Sequence, residues 1–187
     1  MNQVSFIRMA DGTREEYEFL TRLETAYASA VADRVLDYFG ALETTMEGYR
    51  ISRQEHGLQA ATRALRDGAE EEMVVAALLH DIGDALDPYS HSEFAAAILR
   101  PYVSDRTYWV VKHHGLFQAY YYAHHMGGDR NVRDRYRDNP YYRDCVDFCE
   151  KWDQSSFDPD YDTLPLAHFE PMVRRVFGRK AREYDRT

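Results

Sequence analysis

Hydrophobic residues recur along this chain mostly at intervals of three and four, the spacing that places side chains on one face of an α-helix. The first such series predicts one long helix over residues 17–40. Its apolar members are Tyr17, Leu20, Leu23, Tyr27, Val31 and Val35. Residues 73–80 are apolar on nearly every side, which predicts a helix in the centre of the core. We find no alternating stretch long enough for a strand, so the pattern predicts an all-α fold.

Serine residues mark the starts of three further predicted helices. Ser52 and Ser90 are each followed three residues later by glutamate, the sequence of a capping box, and Ser104 begins the third helix. Residues 140–152 and 164–177 predict the last two helices.

Length and composition favour one soluble domain. A chain of 187 residues can bury about 70% of the surface it exposes when unfolded. We predict that residues 45–187 form this helical domain and that residues 1–44 form a helical arm packed on it. Cys145 and Cys149 lie one helical turn apart, which predicts packing rather than a disulfide.

Charge and hydropathy exclude two classes of partner. The chain has 32 acidic and 23 basic residues and a net charge of −9, which argues against a broad nucleic-acid-binding surface. No apolar run approaches the ~20 residues of a membrane helix, and the first residues show no signal-peptide pattern. We therefore expect a cytoplasmic protein that contacts neither nucleic acid nor membrane.

Histidine and aspartate carry the candidate chemistry. An ionised aspartate at the end of the most buried helix is costly unless it is paired or bound to a metal ion, and a histidine precedes it. Each of the other predicted helices near this pair contributes one further histidine or aspartate that could bind the metal. The candidate metal ligands are His56, His80, Asp81, His91, His114 and Asp153. Imidazoles and carboxylates without thiolates suit two ions such as iron or manganese better than a zinc–thiolate site.

These residues resemble the HD-domain superfamily, which is defined by an adjacent His-Asp pair such as His80-Asp81. Residues 88–94, 111–115 and 150–153 resemble myo-inositol oxygenase, and residues 78–83 are similar to the bacterial organophosphonate oxygenases. The resemblance implies an all-α helical bundle with the metal site between its central helices, and a mixed-valence Fe(II)/Fe(III) pair bridged by Asp81. It also assigns the fourth histidine ligand to His114 rather than to His113, which would then contact the substrate or support a ligand.

The implied activity is an oxygenase reaction on a small molecule. Organophosphonate oxygenases use O2 to cleave the C–P bond of 1-hydroxyalkylphosphonates. The favoured substrate is (R)-1-hydroxy-2-(trimethylammonio)ethylphosphonate, which would yield glycine betaine and phosphate. Two alternative enzymes are a 2-amino-1-hydroxyethylphosphonate dioxygenase and an HD phosphohydrolase acting on nucleotides or phosphomonoesters. A third alternative is a helical module that binds metal without catalysis.

The sequence departs from these families at three places near the predicted ligands. Asp84 stands where a lysine is common, which favours a cationic group on the substrate. Tyr49 lies three positions later than the tyrosine that occupies the open iron site in the aminoethylphosphonate enzymes, and we predict the same role for it. Residues 118–122, Gln-Ala-Tyr-Tyr-Tyr, replace a basic stretch, and aromatic rings can bind a quaternary ammonium by cation–π contact.

Substrate-binding candidates follow from these departures. They are Asp84, His113, Gln118, Tyr120 and Tyr121, with Lys112 and Lys151 for the phosphonate. Arg130 is a further basic candidate, and Tyr122, Tyr141, Tyr142 and Phe157 are aromatic residues in the same stretches. The pair His124-His125 is typical of an exposed surface, and we assign His168 a structural role.

Overall fold

The computed structural model describes residues 2–44 and 47–182, and this part of the chain is helical with no β-strand. Eight α-helices occur in it, together with short 3₁₀ turns and one π-helical turn at Cys149–Asp153. The helices are α1 (Arg14–Ser29), α2 (Val31–Gly40), α3 (Arg53–Arg66), α4 (Glu71–Leu79), α5 (His91–Leu99), α6 (Asp105–Tyr122), α7 (Tyr142–Phe148) and α8 (Leu166–Phe177). The predicted all-α class is therefore confirmed. The predicted division at residue 45 lies outside the described residues and stays a prediction.

The central position predicted for residues 73–80 is confirmed. Every residue from Met73 to His80 is buried, and α4 packs against α3, α6 and α8. Apolar side chains lie on all sides of α4 beyond its acidic first turn, which is typical of a helix enclosed by other helices. The buried thiols of Cys145 and Cys149 are free, in agreement with the predicted packing role.

A glycine lets the two central helices approach closely. A Cβ atom added at Gly57 of α3 would lie 2.5 Å from the backbone oxygen of Leu78 in α4 and 3.0 Å from the ring of Phe39. Real Cβ atoms do not approach other atoms to 2.5 Å, so only glycine fits here. The contact matters for the site because α3 carries His56 and α4 leads directly into His80.

The single long helix predicted over residues 17–40 is wrong, because the chain breaks at Ala30 into α1 and α2. The side chain of Arg34 stabilises the break: its Nη1 donates to the carbonyl oxygen of Tyr27 at 2.8 Å, and its guanidinium lies 3.8 Å from the centre of the Tyr27 ring. A side chain thus satisfies a carbonyl that a continuous helix would bond internally. The spacing of the apolar residues continues through the break, so the hydrophobic pattern could not reveal the break.

Two of the three serines that precede predicted helices cap them, and the cap at Ser52 is one half of the predicted capping box. The hydroxyl oxygens of Ser52 and Ser104 each accept a hydrogen bond from the backbone N–H three residues later. Ser90 precedes α5 as predicted but makes no side-chain cap. Its own N–H instead donates to the carboxylate of Asp87 at 3.2 Å, which holds the preceding turn. None of the helices in residues 2–44 and 47–182 is long and apolar enough to cross a membrane.

Candidate metal centre and cleft

The six side chains predicted as metal ligands meet at one place inside the bundle, although five separate segments supply them. Helix α3 contributes His56, and the turn after α4 contributes His80 and Asp81. The remaining three are His91 at the start of α5, His114 in α6 and Asp153 at the end of the π-helical turn. The helical bundle therefore creates this cluster by packing.

The turn after α4 presents His80 and Asp81 next to each other. The N–H of Asp84 donates to the carbonyl oxygen of Asp81 at 3.0 Å and closes this turn. Gly83 lies within it, and an added Cβ there would lie 2.8 Å from the Cα of His91. The absence of a side chain at Gly83 therefore allows the start of α5 to reach Asp81.

Each of the four imidazoles is oriented by a hydrogen bond to a backbone carbonyl. A carbonyl oxygen can only accept, so each Nδ1 must carry a proton, which leaves each Nε2 facing the other ligands. The Nδ1-to-oxygen pairs are His56 with Ser156 at 2.8 Å, His80 with Ala77 at 2.8 Å, His91 with Pro88 at 3.3 Å and His114 with Val111 at 2.7 Å. The arrangement matches the support that metal-binding histidines usually receive.

The two carboxylate oxygens of Asp81 face two different pairs of histidines. Oδ2 lies 3.4 Å from Nε2 of His56 and 3.5 Å from Nε2 of His80. Oδ1 lies 3.1 Å from Nε2 of His114 and 3.5 Å from Nε2 of His91. One carboxylate is thus shared between two imidazole pairs, as expected for a group that bridges two ions.

Asp153 joins the first of these two pairs. Its Oδ1 lies 3.4 Å from Nε2 of His56 and 3.6 Å from Nε2 of His80, and it accepts a hydrogen bond from Nε2 of Gln118 at 3.0 Å. Its Oδ2 is shielded from solvent and accepts no hydrogen bond from the described residues. The wider winding of the π-helical turn at Cys149–Asp153 leads directly into this residue, and such turns often occur at functional sites.

The buried carboxylates of the cluster need positive charge nearby to remain ionised. Burial alone would raise the pKa values of Asp81 and Asp153, yet the surrounding histidines hold both values well below the ordinary range. Burial by itself lowers the pKa of His80, but the charge of Asp81 and the hydrogen bond and charge of Asp153 outweigh it and raise that pKa to about 9. Buried carboxylates of this kind require either protonated histidines or bound cations.

The donor atoms present fit a pair of metal ions. The Nε2 atoms of His56 and His80 lie 3.1 Å apart, close to the spacing of two nitrogens held at about 2.1 Å by one ion. Asp81, His56, His80 and Asp153 could hold one ion. The other oxygen of Asp81, with His91 and His114, could hold a second. Nitrogen and oxygen donors without a thiolate suit iron or manganese.

A cleft of about 520 Å³ opens onto this cluster. Its walls include five aromatic side chains, which are Tyr49, Tyr89, Tyr121, Tyr122 and Phe157. Phe157 stacks on the ring of His56 with centroids 4.4 Å apart, and Tyr49 stacks on Phe157 at 5.2 Å. His91 retains 26% exposure of its side chain, whereas His56 retains 1%. Both proposed ligand sets line the cleft, and His91 is the most exposed of their histidines.

Comparison with known families agrees with this geometry. The HD domain family model matches residues 41–148, more than half of the chain, and this range contains every ligand candidate except Asp153. The chain belongs to the HD-domain family. The adjacent pair His80-Asp81 is thus the pair for which this family is named, and the all-α architecture is that of the HD domain.

A relative of this HD-domain chain has a described activity. It is the [1-hydroxy-2-(trimethylamino)ethyl]phosphonate dioxygenase (glycine-betaine-forming) of Leisingera caerulea. The two proteins are 28% identical over 163 residues, an alignment that covers 71% of this chain and 82% of the relative. The similarity therefore extends over most of both proteins.

Besides Asp81, which is predicted to be catalytic as well as a metal ligand, three of the predicted substrate-binding or catalytic residues of the HD-domain chain lie in the cleft wall. Tyr49 lies there but donates no hydrogen bond to a described residue. Gln118 lines the cleft and donates to Asp153, and Tyr121 lines it farther along α6. Tyr122, the residue after Tyr121, also lines the cleft, and burial raises its pKa. The roles predicted for these residues stay predictions.

Asp84 does not face the cleft, contrary to the expectation that it contacts a cation on the substrate. Its Oδ2 lies 2.8 Å from Nε of Arg53, and its Oδ1 lies 3.4 Å from Nδ1 of His91. Asp84 follows the His-Asp pair as expected, but its carboxylate forms an ion pair with Arg53 of the protein itself. Arg53 itself lines the cleft.

Four other residues predicted to contact the substrate are also absent from the wall of the cleft. His113 donates from Nδ1 to the carbonyl oxygen of Trp109 and stacks on that indole at 4.2 Å. Lys112 is paired with Glu93 at 3.6 Å. These two residues precede His114 on α6, and successive residues of a helix point in different directions.

Tyr120 and Lys151 are likewise engaged elsewhere. The guanidinium groups of Arg130 and Arg133 lie 4.1 and 3.6 Å from the centre of the Tyr120 ring, which occupies it with protein cations. Lys151 lies 3.5 Å from Asp147 and belongs to a different surface groove. Both residues are close to ligands in sequence, but their side chains point away from the cleft.

The remaining predicted residues have surface or packing positions. His124, His125 and His168 are exposed, in line with the surface and structural positions expected for them. Tyr142 packs on Phe117 at a centroid distance of 5.3 Å, and neither Tyr141 nor Tyr142 lines the cleft. Of Tyr141, Tyr142 and Phe157, only Phe157 lines the cleft, where it stacks on His56.

Sequence reasoning missed Arg53 as a cleft residue. The usable signal was its position three residues before His56, one turn earlier on the same face of a helix. Ser92 and Gln154 were also missed, and each follows a ligand candidate by one residue. Immediate neighbours of ligands on a helix carry no reliable directional signal, so these two required the structure.

Proposed function

We propose that this HD-domain protein is an iron-dependent oxygenase that oxidatively cleaves the C–P bond of a 1-hydroxyalkylphosphonate. The observation that carries the proposal is the division of the Asp81 carboxylate between two imidazole pairs. A single-ion phosphohydrolase could use His56, His80, Asp81 and Asp153 alone and would leave the second pair without a role. The dioxygenase activity of the relative from Leisingera caerulea supports the same reaction class.

The residues would divide between two iron ions. His56, His80 and Asp153 would hold one, His91 and His114 the other, and Asp81 both. When bound, such ions supply Lewis acidity and one-electron chemistry with O2. The protein orients the four imidazoles through backbone carbonyls and holds Asp153 through Gln118, and these hydrogen bonds direct the ligand atoms toward the cluster.

The cleft suits a substrate with a quaternary ammonium group. Tyr89, Tyr121 and Tyr122 lie in its wall, and an aromatic face attracts such a cation by about 0.5–2 kcal/mol. We therefore favour (R)-1-hydroxy-2-(trimethylammonio)ethylphosphonate as substrate, and its 2-amino analogue as the alternative.

The proposed reaction balances without an external reductant. One O2 reacts with one hydroxyphosphonate, the C–P and carbinol C–H bonds break, and the products are a carboxylate and phosphate. Both oxygen atoms of O2 enter the products, and the substrate supplies all four electrons. For the trimethylammonio substrate the products are glycine betaine and phosphate.

The test measures O2 uptake and phosphate release by the iron-loaded protein, supplied in turn with the trimethylammonio and the amino hydroxyphosphonate. We expect equal amounts of O2 consumed and phosphate formed, with glycine betaine detected by mass spectrometry for the first substrate. Electron paramagnetic resonance of the partly oxidised protein should show an S = 1/2 signal from the mixed-valence pair.

His91→Ala and His114→Ala separate this proposal from a phosphohydrolase. An oxygenase should lose almost all O2 uptake in both variants, whereas His124→Ala, at an exposed position, should match the unmodified protein. The protein would be a phosphohydrolase if the parent takes up no O2 and both variants still hydrolyse nucleotides or phosphomonoesters. Tight metal binding with neither activity would identify a non-catalytic module.

A further inference from the structure

Arg53 is the one lysine or arginine among the described residues that line the cleft. It is the first residue of α3 and lies one turn before His56. Its side chain is 12% exposed, so the guanidinium is largely removed from water but still reaches the cleft. An arginine side chain presents a positive charge and five N–H donors in a planar fork.

Three neighbours hold this guanidinium in place. Nε lies 2.8 Å from Oδ2 of Asp84 in an ion pair that does not have the geometry of a hydrogen bond, and Nη1 donates to Oδ2 of Asp81 at 3.3 Å. The ring of Tyr49 covers one face, with its centre 4.7 Å from the guanidinium carbon. A planar group held by one hydrogen bond, one ion pair and an aromatic ring has reduced freedom, so binding a ligand to it costs less conformational entropy.

The remaining nitrogen has capacity for a ligand. Nη2 makes no hydrogen bond with any residue in the ranges 2–44 and 47–182. Guanidinium groups bind phosphonate, phosphate and carboxylate oxygens through short, charge-assisted hydrogen bonds. A ligand anion in the cleft could therefore bind Arg53 without displacing Asp84.

The charge balance favours an anion at this place. Asp84, which does not line the cleft, forms an ion pair with Arg53. The carboxylate of Asp81 lies next to imidazole rings, such as that of His114 at 3.1 Å. Two ions bound at the cluster would compensate Asp81 further. The guanidinium would then be the positive group that lines the cleft wall, with its counter-ion Asp84 outside that wall, the opposite of what Asp84 alone suggests from sequence.

We propose that Arg53 binds the anionic end of the substrate, a phosphonate or carboxylate group, and that Asp84 is the positioning residue that aims the guanidinium. This inference rests on the proposed function only in taking the cleft as the substrate site. It assigns the anionic end of the substrate to the start of α3 and leaves the aromatic wall for its other end.

The test uses Arg53→Gln, Arg53→Lys and Asp84→Asn in the full chain, with Arg14→Gln as a matched control on the exposed face of α1. Calorimetric titrations of the anaerobic iron-loaded proteins with inorganic phosphate, methylphosphonate and acetate distinguish phosphorus oxyanions from carboxylates. Iron content and unfolding temperature are measured for every variant.

We expect Arg53→Gln to weaken binding of the preferred anion at least about tenfold at unchanged iron content. Arg53→Lys should recover part of the loss, and Asp84→Asn should weaken binding about threefold because the arginine loses its orientation. With a turned-over substrate, the Arg53→Gln change should raise KM more than it lowers kcat. Arg14→Gln should bind as the parent does.

Two outcomes would overturn the inference. Unchanged anion binding in Arg53→Gln would show that the anion is held elsewhere, and loss of iron in that variant would show that Arg53 supports Asp81 instead. The titrations need no turnover. If anion binding depends on Arg53 but the protein does not cleave the C–P bond, only the proposed function is rejected. If the protein cleaves the C–P bond and Arg53→Gln does not affect the reaction, only this inference is rejected.

Discussion

The Nε2 atoms of His56 and His80 face each other at 3.1 Å, while the Nδ1 of each ring contacts a backbone carbonyl. Two nitrogen lone pairs at this distance repel, so a proton or a metal ion must lie between the rings. The raised pKa of His80, about 9 despite the opposing effect of burial, reflects the same demand for positive charge. The pair is therefore a sensitive point at which to test metal binding.

We predict that Asp81→Asn lowers the iron content from about two ions per chain to less than one, because both proposed ions share this carboxylate. Asp153→Asn removes an oxygen from one ligand set only and should leave about one ion. Elemental analysis of anaerobically loaded protein measures both. Asp162→Asn, whose parent side chain is 92% exposed, is the matched control and should keep the parent stoichiometry. Equal iron contents in all three variants would contradict the shared site.

Removal of metal should lower the unfolding temperature. Ions that bind only the folded protein at 100 to 1,000 times their Kd stabilise it by about 3–4 kcal/mol, which corresponds to about 5–15 °C for a domain of this size. Differential scanning calorimetry before and after chelation measures the shift, and readdition of Fe(II) should restore it. Identical melting curves for both forms would show that the cluster is folded and stable without an ion.

Glu72 should make stability depend on acidic pH. Burial acts to raise its pKa, but hydrogen bonds from Ser104, Arg179 and Thr107 outweigh burial and lower the pKa from 4.5 to about 2. The carboxylate is thus favoured in the folded state, so its contribution is complete above the unfolded-state pKa. That contribution is lost as the pH falls from about 4.5 toward 2.

Glu72→Gln should therefore reduce the free energy of unfolding by about 1–2 kcal/mol at pH 7, a value discounted for solvent screening. The deficit should shrink as the pH falls below about 4.5. Denaturant titrations of both proteins between neutral and acidic pH measure the difference. Glu24→Gln, on the exposed side of α1, controls for the change in net charge. A deficit that stays constant with pH would contradict the assignment.

Gly57→Ala should destabilise the bundle by about 1–3 kcal/mol, because the new methyl group would overlap the backbone oxygen of Leu78. The strain would separate α3 from α4 and so move His56 relative to His80, which should also weaken iron binding. Gly40→Ala, where no atom lies within 4 Å of an added Cβ, should change stability by less than about 1 kcal/mol. Chemical unfolding and iron titration of both variants check the prediction, and equal effects would reject it.

Helical periodicity predicted most of the elements because it is a local property. The central helix, the caps at Ser52 and Ser104 and the all-α class were all correctly predicted. The break at Ala30 was not, because the apolar spacing continues through it while the side chain of Arg34 satisfies a backbone carbonyl there. A side chain that substitutes for a helical hydrogen bond leaves no trace in the hydrophobic pattern.

By itself, the sequence determined which residues could bind metal, since imidazole and carboxylate chemistry belongs to the residue type, and the His-Asp pair marks the family. Only the tertiary structure decided which charge reaches the cleft. Arg53 and Asp84 belong to different segments, and their contact depends on how α3 packs against the turn after α4. Similarly, His113 and His114 are adjacent in sequence, yet helix geometry turns one toward Trp109 and the other toward Asp81. Direction and pairing are properties of packing, which local sequence does not encode.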